Sequence, residues 1–127
     1  MKTLTITDES AAGDILNKIS LAFDKEYISV QELIETRIKA EIKRYEEDVN
    51  SYHQGLVLPT DLEKRLNKKT KLKLDVEKQL YIALEAFQKN GFFILVDDEQ
   101  VEELAEKFLV DDSTQVSFIK LTPLVGG

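Results

Sequence analysis

The stretch that decides the fold is Gln115-Val116-Ser117-Phe118-Ile119-Lys120-Leu121. Its polar and apolar side chains alternate, and this two-residue period is typical of a half-buried strand. Val116 and Phe118 are expected to face the core, whereas Ile119 and Leu121 are expected to point away from it. Because proline cannot donate a hydrogen bond to a neighbouring strand, we predict that this last strand ends before Pro123.

A second strand is predicted upstream by the apolar run Phe92-Phe93-Ile94-Leu95-Val96. The run is rich in aromatic and β-branched residues and is bounded by Gly91 and Asp97-Asp98, which favours a central strand. Between these two strands, residues 101–109 are interpreted as a short strand with a helical turn.

Two further strands are predicted at the N-terminus. The first covers residues 2–7 and places Leu4 and Ile6 on one side, and the second covers residues 18–23 and again alternates. Residues 8–13 lie between them and are predicted to form a turn. Together these segments indicate an N-terminal hairpin.

A long helix is predicted to begin next to Ser29. Ser29 and Glu32 have the spacing of a capping box, in which each side chain satisfies a backbone amide of the first turn. Apolar residues then recur at steps of three and four, as an amphipathic helix of about five turns requires: Val30, Leu33, Ile34, Ile38, Ile42, Tyr45 and Val49. The charged residues between them are expected to face solvent: Glu35, Arg37, Lys39, Glu41 and Lys43.

Residues 43–91 are predicted to be a helical insertion before the strand at Phe92. Thr60-Asp61-Leu62-Glu63 repeats the capping-box spacing and predicts a short second helix. A third helix is predicted from Asp75 to Asn90-Gly91, which is the expected C-terminal cap. Its inward stripe is predicted to be Val76, Leu80, Ala83, Leu84 and Phe87.

Composition excludes several classes of protein. The chain has 127 residues, of which 43% are hydrophobic and 32% charged, so we expect one folded domain, residues 1–127. A formal charge of −7 disfavours non-specific binding to nucleic acid or to anionic membrane. The absence of cysteine excludes disulfides, thiolate metal sites and thiol nucleophiles. No secretory signal or membrane-spanning run is evident, so cytoplasmic residence is expected.

The order of predicted elements, leaving the insertion aside, is strand, strand, helix, strand, short connection, strand and tail. This α+β order resembles the β-grasp fold of ubiquitin, and residues 92–127 are similar in layout to the final third of ubiquitin. The ending Thr122-Pro123-Leu124-Val125-Gly126-Gly127 resembles the tails of the sulfur-carrier proteins of molybdopterin and thiamine biosynthesis. The resemblance covers residues 1–42 and 92–127, and its specific part is the tail, residues 122–127. The insertion has no counterpart in those families.

The resemblance implies that Gly126 and Gly127 carry the function. A C-terminal carboxylate with a pKa of about 3.5 is ionised at neutral pH, and it becomes a good electrophile only after ATP converts it to an acyl-adenylate. Glycine has no Cβ and therefore lets a tail enter a narrow channel in a partner. By resemblance, an activating enzyme adenylates Gly127, and the acyl group then passes to a thiol or to sulfide.

The same resemblance implies docking residues and partners. In ubiquitin the matching strand presents the main recognition patch, so the candidates for docking the activating enzyme are Ile119, Leu121, Pro123, Leu124 and Val125. The alternative is that the inserted helices cover Ile119 and Leu121. The leading expectation is a ubiquitin-like modifier, prokaryotic in type, that is joined through Gly127 to amines on target proteins, with a conjugating enzyme and an isopeptidase as further partners. Two alternatives stay open, namely a sulfur carrier bearing a C-terminal thiocarboxylate and a non-covalent protein-interaction module.

Other candidate residues have simpler explanations. His53 is the only histidine and lies in a predicted loop. The acidic residues Glu99, Glu102, Glu103 and Glu106 are expected to be a solvated face rather than a metal site. The basic residues Lys64, Arg65, Lys68, Lys69, Lys71 and Lys73 lack the interleaved aromatic residues that favour nucleic-acid binding. No nucleophile–base pair or metal cluster can be assembled, so we expect no enzymatic activity, no cofactor and no metal.

Overall fold

The alternating and capped segments of the sequence form seven strands and two helices within the described part of the chain. The structure is a computed structural model that describes residues 2–47 and 75–120. Its elements are β1 (Lys2–Ser10), β2 (Ile15–Phe23), β3 (Tyr27–Ser29), α1 (Val30–Glu47), α2 (Val76–Gln88), β4 (Phe92–Val96), β5 (Glu99–Val101), β6 (Lys107–Leu109) and β7 (Gln115–Lys120).

Five of these strands form one mixed sheet, in the order β2-β1-β7-β4-β5. β1 and β7 are parallel, with Ile6 opposite Val116, and the other neighbours are antiparallel. β3 and β6 pair as a separate antiparallel sheet of two strands. The fold is therefore α+β, as predicted, with β7 inserted between β1 and β4.

The predicted N-terminal hairpin is confirmed, but the predicted position of its turn was wrong. The turn lies at residues 11–14 rather than 8–13. Gly13 has a φ of 93°, a conformation that glycine adopts readily, and donates its N–H to the carbonyl of Ser10 at 2.9 Å. β1 is longer than its local alternation indicates because Glu9 and Ser10 pair with β7.

The start of α1 is capped by Ser29, as predicted. The N–H of Glu32 donates to Ser29 Oγ at 3.0 Å. The Glu32 side chain, however, accepts a hydrogen bond from Lys25 Nζ at 3.1 Å. The N–H of Val30 donates to the carbonyl of Glu106 at 2.8 Å, so the segment between β5 and β6 also satisfies the first turn of the helix.

One hydrophobic core joins both helices to the inner face of the sheet. A large apolar side chain that is fully buried stabilises the fold by about 1.5–3 kcal/mol relative to its exposed state. Fully buried members from the two layers include Leu33, Ile34 and Ile38 of α1 and Leu4, Ile6, Ile94 and Phe118 of the sheet.

α2 has the ends that the sequence predicts. Asp75 caps it by accepting a hydrogen bond from the N–H of Lys78 at 3.1 Å. Beyond the last turn, Gly91 donates its N–H to the carbonyl of Ala86 at 2.7 Å. A side chain at Gly91 would bring its Cβ to 3.1 Å from that carbonyl oxygen, a tight approach that the backbone of the turn would have to accommodate.

The predicted inward stripe of α2 was partly wrong. Ala83 and Phe87 are buried, and Leu80 and Leu84 are half-buried against the core, but Val76 is 37% exposed. The buried position in the first turns belongs to a polar residue, Gln79. α2 packs against α1 as well as β4, so its buried face depends on two partners that local hydrophobicity does not identify.

Two short strands replace the predicted strand and helical turn of residues 101–109. β5 ends at Val101 and pairs with β4, and β6 pairs with β3, with Tyr27 opposite Leu109. Of the predicted insertion, residues 43–47 continue α1, and residues 75–91 form α2 and its turn into β4. The helix predicted at Thr60 lies outside the described residues.

Candidate functional site

Most of the predicted site residues lie outside the described part of the chain: Leu121, Pro123, Leu124, Val125, Gly126 and Gly127. The same is true of His53 and of the basic stretch at residues 64–73. Ile119 is described, next to Lys120 at the end of β7. The described residues nearest to Gly126 and Gly127 in sequence are those around Ile119 and Lys120, and they form the candidate site.

Ile119 faces away from the core, as the alternation predicts. Its neighbour Phe118 is fully buried, whereas Ile119 is half-buried and lies on the other face of the sheet. Phe93 of β4 lies directly opposite Ile119, and Leu95 follows on the same face of β4. We call Phe93, Leu95 and Ile119 the open-face patch.

α2 packs on the opposite, core-facing side of the sheet. Its Phe87 ring lies 5.8 Å from the ring of Phe92, whose side chain points into the core. The described part of the insertion therefore covers the inner face and leaves the open-face patch half-buried.

A group of charged residues is buried under the same end of the sheet. The Nη1 and Nη2 atoms of Arg37 donate to the two carboxylate oxygens of Asp8 at 2.5 and 2.6 Å. Arg37 Nε donates to Glu41 at 2.9 Å, and Lys120 Nζ lies 3.7 Å from Asp8 Oδ2. We call Asp8, Arg37, Glu41 and Lys120 the buried charge cluster, in which two cations balance two anions.

The prediction that Arg37 and Glu41 face solvent was wrong. Arg37 is 0% exposed and Glu41 is 8% exposed. Arg37 lies one helical turn after Leu33, and Glu41 one turn after Arg37, so the three share one face of α1. Asp8 likewise continues the two-residue period of the buried residues of β1. The spacing of these residues is consistent with burial. Charged residues are nevertheless expected at the surface, because they are almost never fully buried unless paired.

Parallel pairing of β1 and β7 brings the cluster together. Parallel neighbours have their carboxyl ends at the same edge of a sheet, and Asp8 lies opposite Phe118 in this register. The guanidinium carbon of Arg37 lies 4.6 Å from the centre of the Phe118 ring, an attractive arrangement of a cation and an aromatic face. Phe118 in turn stacks on Phe92, with ring centres 5.6 Å apart.

Burial disfavours the charged form of both Arg37 and Lys120, but the pKa of Arg37 is raised and the pKa of Lys120 is lowered. For Arg37, the hydrogen bond to Asp8 and the attraction of Glu41 outweigh the cost of burial, so its pKa is raised above the ordinary value. For Lys120, burial is the largest effect and Arg37 adds to it, so its pKa is lowered although Asp8 attracts the proton. Arg37 is thus the fixed cation of the cluster, and Lys120 holds its proton less firmly than an exposed lysine.

A shallow pocket opens beside the start of β4. Its volume is about 270 Å³, and its lining includes Asn90, Phe93, Gln100 and Glu102. Pockets that enclose a drug-sized ligand are commonly about 300–1,000 Å³. This pocket is smaller than that range.

Within residues 2–47 and 75–120, no group of three or more His, Cys, Asp or Glu residues is arranged to hold a metal ion. The helices in those ranges include none with the length and apolar character needed to cross a membrane.

Comparison of the chain with protein-family models, with curated proteins and with solved structures gives no match. Its function is therefore inferred from its own residues, foremost the end of β7 and the surfaces around it.

Proposed function

We propose that the chain is a ubiquitin-like protein modifier of the β-grasp type. In this proposal an activating enzyme adenylates the carboxylate of Gly127, and the acyl group is then joined to an amine on a target protein. The chain supplies the electrophile and the docking surface, and its partners supply the catalysis.

The position of β7 is the observation that carries the proposal. In the order β2-β1-β7-β4-β5, β7 lies inside the sheet and parallel to β1, with α1 packed on one face. This arrangement is compatible with a β-grasp. Residues 121–127 follow β7 directly and end in Gly126-Gly127. A fully extended segment of that length spans about 23–25 Å, which is sufficient to carry Gly127 into a nucleotide site while the folded body stays on the enzyme surface.

The proposed reaction requires no reactive side chain in this protein. The Gly127 carboxylate attacks the α-phosphate of ATP, which forms an acyl-adenylate and releases pyrophosphate. Attack by an amine, directly or after transfer to a partner's thiol, forms an amide and releases AMP. The reaction requires a free Gly127 carboxylate, whether encoded or released from a longer precursor.

The open-face patch is the proposed docking surface for the activating enzyme. Phe93 and Ile119 are a directly opposed pair of half-buried apolar residues on adjacent strands. Covering such side chains contributes about 25 cal/mol for each Å² of apolar surface removed from water. Because Ile119 is next to Lys120, docking here would place the start of the tail at the edge of the interface.

ATP–pyrophosphate exchange tests the proposal. The full chain should support exchange by its cognate activating enzyme, and a variant that lacks Gly126 and Gly127 should fold normally but support none. Exchange at the full rate by the truncated variant would contradict adenylation of Gly127. The product formed after adenylation distinguishes a modifier from a sulfur carrier. A target protein linked to the chain by an amide supports a modifier. An intact mass in which sulfur replaces one oxygen of Gly127 indicates a sulfur carrier.

A further inference from the structure

We propose that the buried charge cluster fixes the end of β7, and that Asp8 and Arg37 thereby position the tail for activation. This inference rests on the proposed function, since it concerns how the tail is presented to the activating enzyme. Asp8 and Arg37 are positioning residues here, because neither touches the reacting carboxylate.

The cluster joins three elements at the point where the tail begins. Arg37 and Glu41 come from α1, Asp8 comes from β1, and Lys120 is the last residue of β7. The Lys120 side chain is only 11% exposed, although Lys120 pairs with Ser10 and Phe92, the terminal residues of β1 and β4. Lys120 is therefore held from the interior by side-chain contacts as well as by its strand neighbours.

The geometry of these contacts is better suited to fixing the relative orientation of α1, β1 and β7 than to increasing the stability of the fold. A buried ion pair adds little net stability, because apolar residues of similar volume in its place are often neutral or stabilising. A two-point contact between guanidinium and carboxylate, by contrast, has a fixed direction and specifies geometry. The Asp8–Arg37 contact has this form and sets the position of α1 over β1.

Orientation of the strand end has a consequence for binding. Binding costs free energy for each segment that must be ordered, and a segment that is already ordered costs less. A tail that starts from a fixed Lys120 enters the activating enzyme with part of this cost removed. Loss of the cluster should therefore raise KM for the chain and leave kcat nearly unchanged.

The test variant is Asp8→Val with Arg37→Met, which removes one charge of each sign and leaves Glu41 and Lys120. We expect it to stay folded. Amide exchange at Ile119 and Lys120 should become at least about tenfold faster relative to Val116 of the same strand, because the loosening is local. KM in ATP–pyrophosphate exchange should rise about tenfold, with kcat within about twofold of the parent.

The matched control is Lys25→Met with Glu32→Gln, which removes an exposed ion pair at the first turn of α1, away from the cluster. It should change neither the amide exchange of β7 nor KM. If the Asp8 and Arg37 variant does not fold, Lys120→Met keeps the other three members together and should shift both measurements in the same direction.

Two outcomes would overturn the inference: amide exchange at Ile119 and Lys120 that follows Val116 unchanged, or an unchanged KM despite faster exchange. If no candidate enzyme adenylates the parent chain, that result would contradict the proposed function but not the role of the cluster in fixing β7. Amide exchange would then still decide whether the cluster fixes the end of β7.

Discussion

Arg37 and Asp8 contact each other inside the protein through two parallel hydrogen bonds, with nitrogen–oxygen distances of 2.5 and 2.6 Å. Neither residue is more than 1% exposed. The contact joins α1 to β1 at the edge where β7 ends. Removing one partner of such a buried ion pair is costly because the other charge is left uncompensated, and this cost can be measured.

Arg37→Met alone should lower the free energy of unfolding by about 3–5 kcal/mol, because it leaves two buried carboxylates without the guanidinium that neutralises them. Adding Asp8→Val should recover most of this loss. Urea unfolding of the two single variants and the double variant measures the coupling. A double variant as unstable as Arg37→Met would show that the contact itself stabilises the fold, contrary to this expectation.

Substitutions along α2 should have graded effects. Phe87→Ala should cost about 3–5 kcal/mol, since Phe87 is buried against Phe92. Leu84→Ala should cost less because Leu84 is half-buried, and Val76→Ala should change stability by no more than about 0.5 kcal/mol. Thermal unfolding gives the ranking. Equal effects at Val76 and Phe87 would mean that α2 presents a different face to the core.

Local patterns predicted much of the fold. The alternation of β7, the apolar run of β4 and the caps at Ser29 and Asp75 each gave an element of the correct type and nearly the correct length. These signals depend on residues close together in sequence. They were therefore sufficient without knowledge of what the elements pack against.

Features that depend on distant partners were missed. β1 extends past Asp8 because β7 pairs with it, and the β3–β6 pair joins short segments that carry little pattern of their own. The burial of Arg37 is of the same kind, because it requires Asp8 at a remote position. Each feature becomes favourable only once the tertiary structure forms.

The candidate site was predicted in part. Alternation places Ile119 on the outer face, and the structure agrees. Phe93 and Leu95 were not identified, because a continuous apolar run has no alternation that shows which of its residues face outward. Gly126 and Gly127 lie outside the described residues and stay a prediction.

Ile119→Thr should weaken docking to the activating enzyme. Threonine keeps a β-branched side chain in the strand but removes part of the apolar surface of the patch. We expect KM in ATP–pyrophosphate exchange to rise about tenfold with little change in melting temperature. Ser20→Thr, on β2 at the far side of the same sheet face, is the control and should leave KM unchanged. An unchanged KM for Ile119→Thr would show that the activating enzyme docks on a different surface.

The lowered pKa of Lys120 should give the protein a specific dependence on alkaline pH. Burial lowers this pKa in the folded state below its ordinary value of 10.5, which applies to the unfolded chain. At pH values between the folded-state pKa and the unfolded-state pKa, the unfolded chain binds more protons than the folded chain, so the free energy of unfolding rises with pH. At pH values below both pKa values, Lys120 is charged in both states and the cost of burying its charge is fully present. Lys120→Met lacks this titration and retains the three groups that face it, Asp8, Arg37 and Glu41. The unfolding free energy of the parent minus that of Lys120→Met should therefore increase as the pH rises toward 10.5, as urea unfolding at a series of pH values would measure. A difference that stays constant with pH would show that burial does not perturb Lys120.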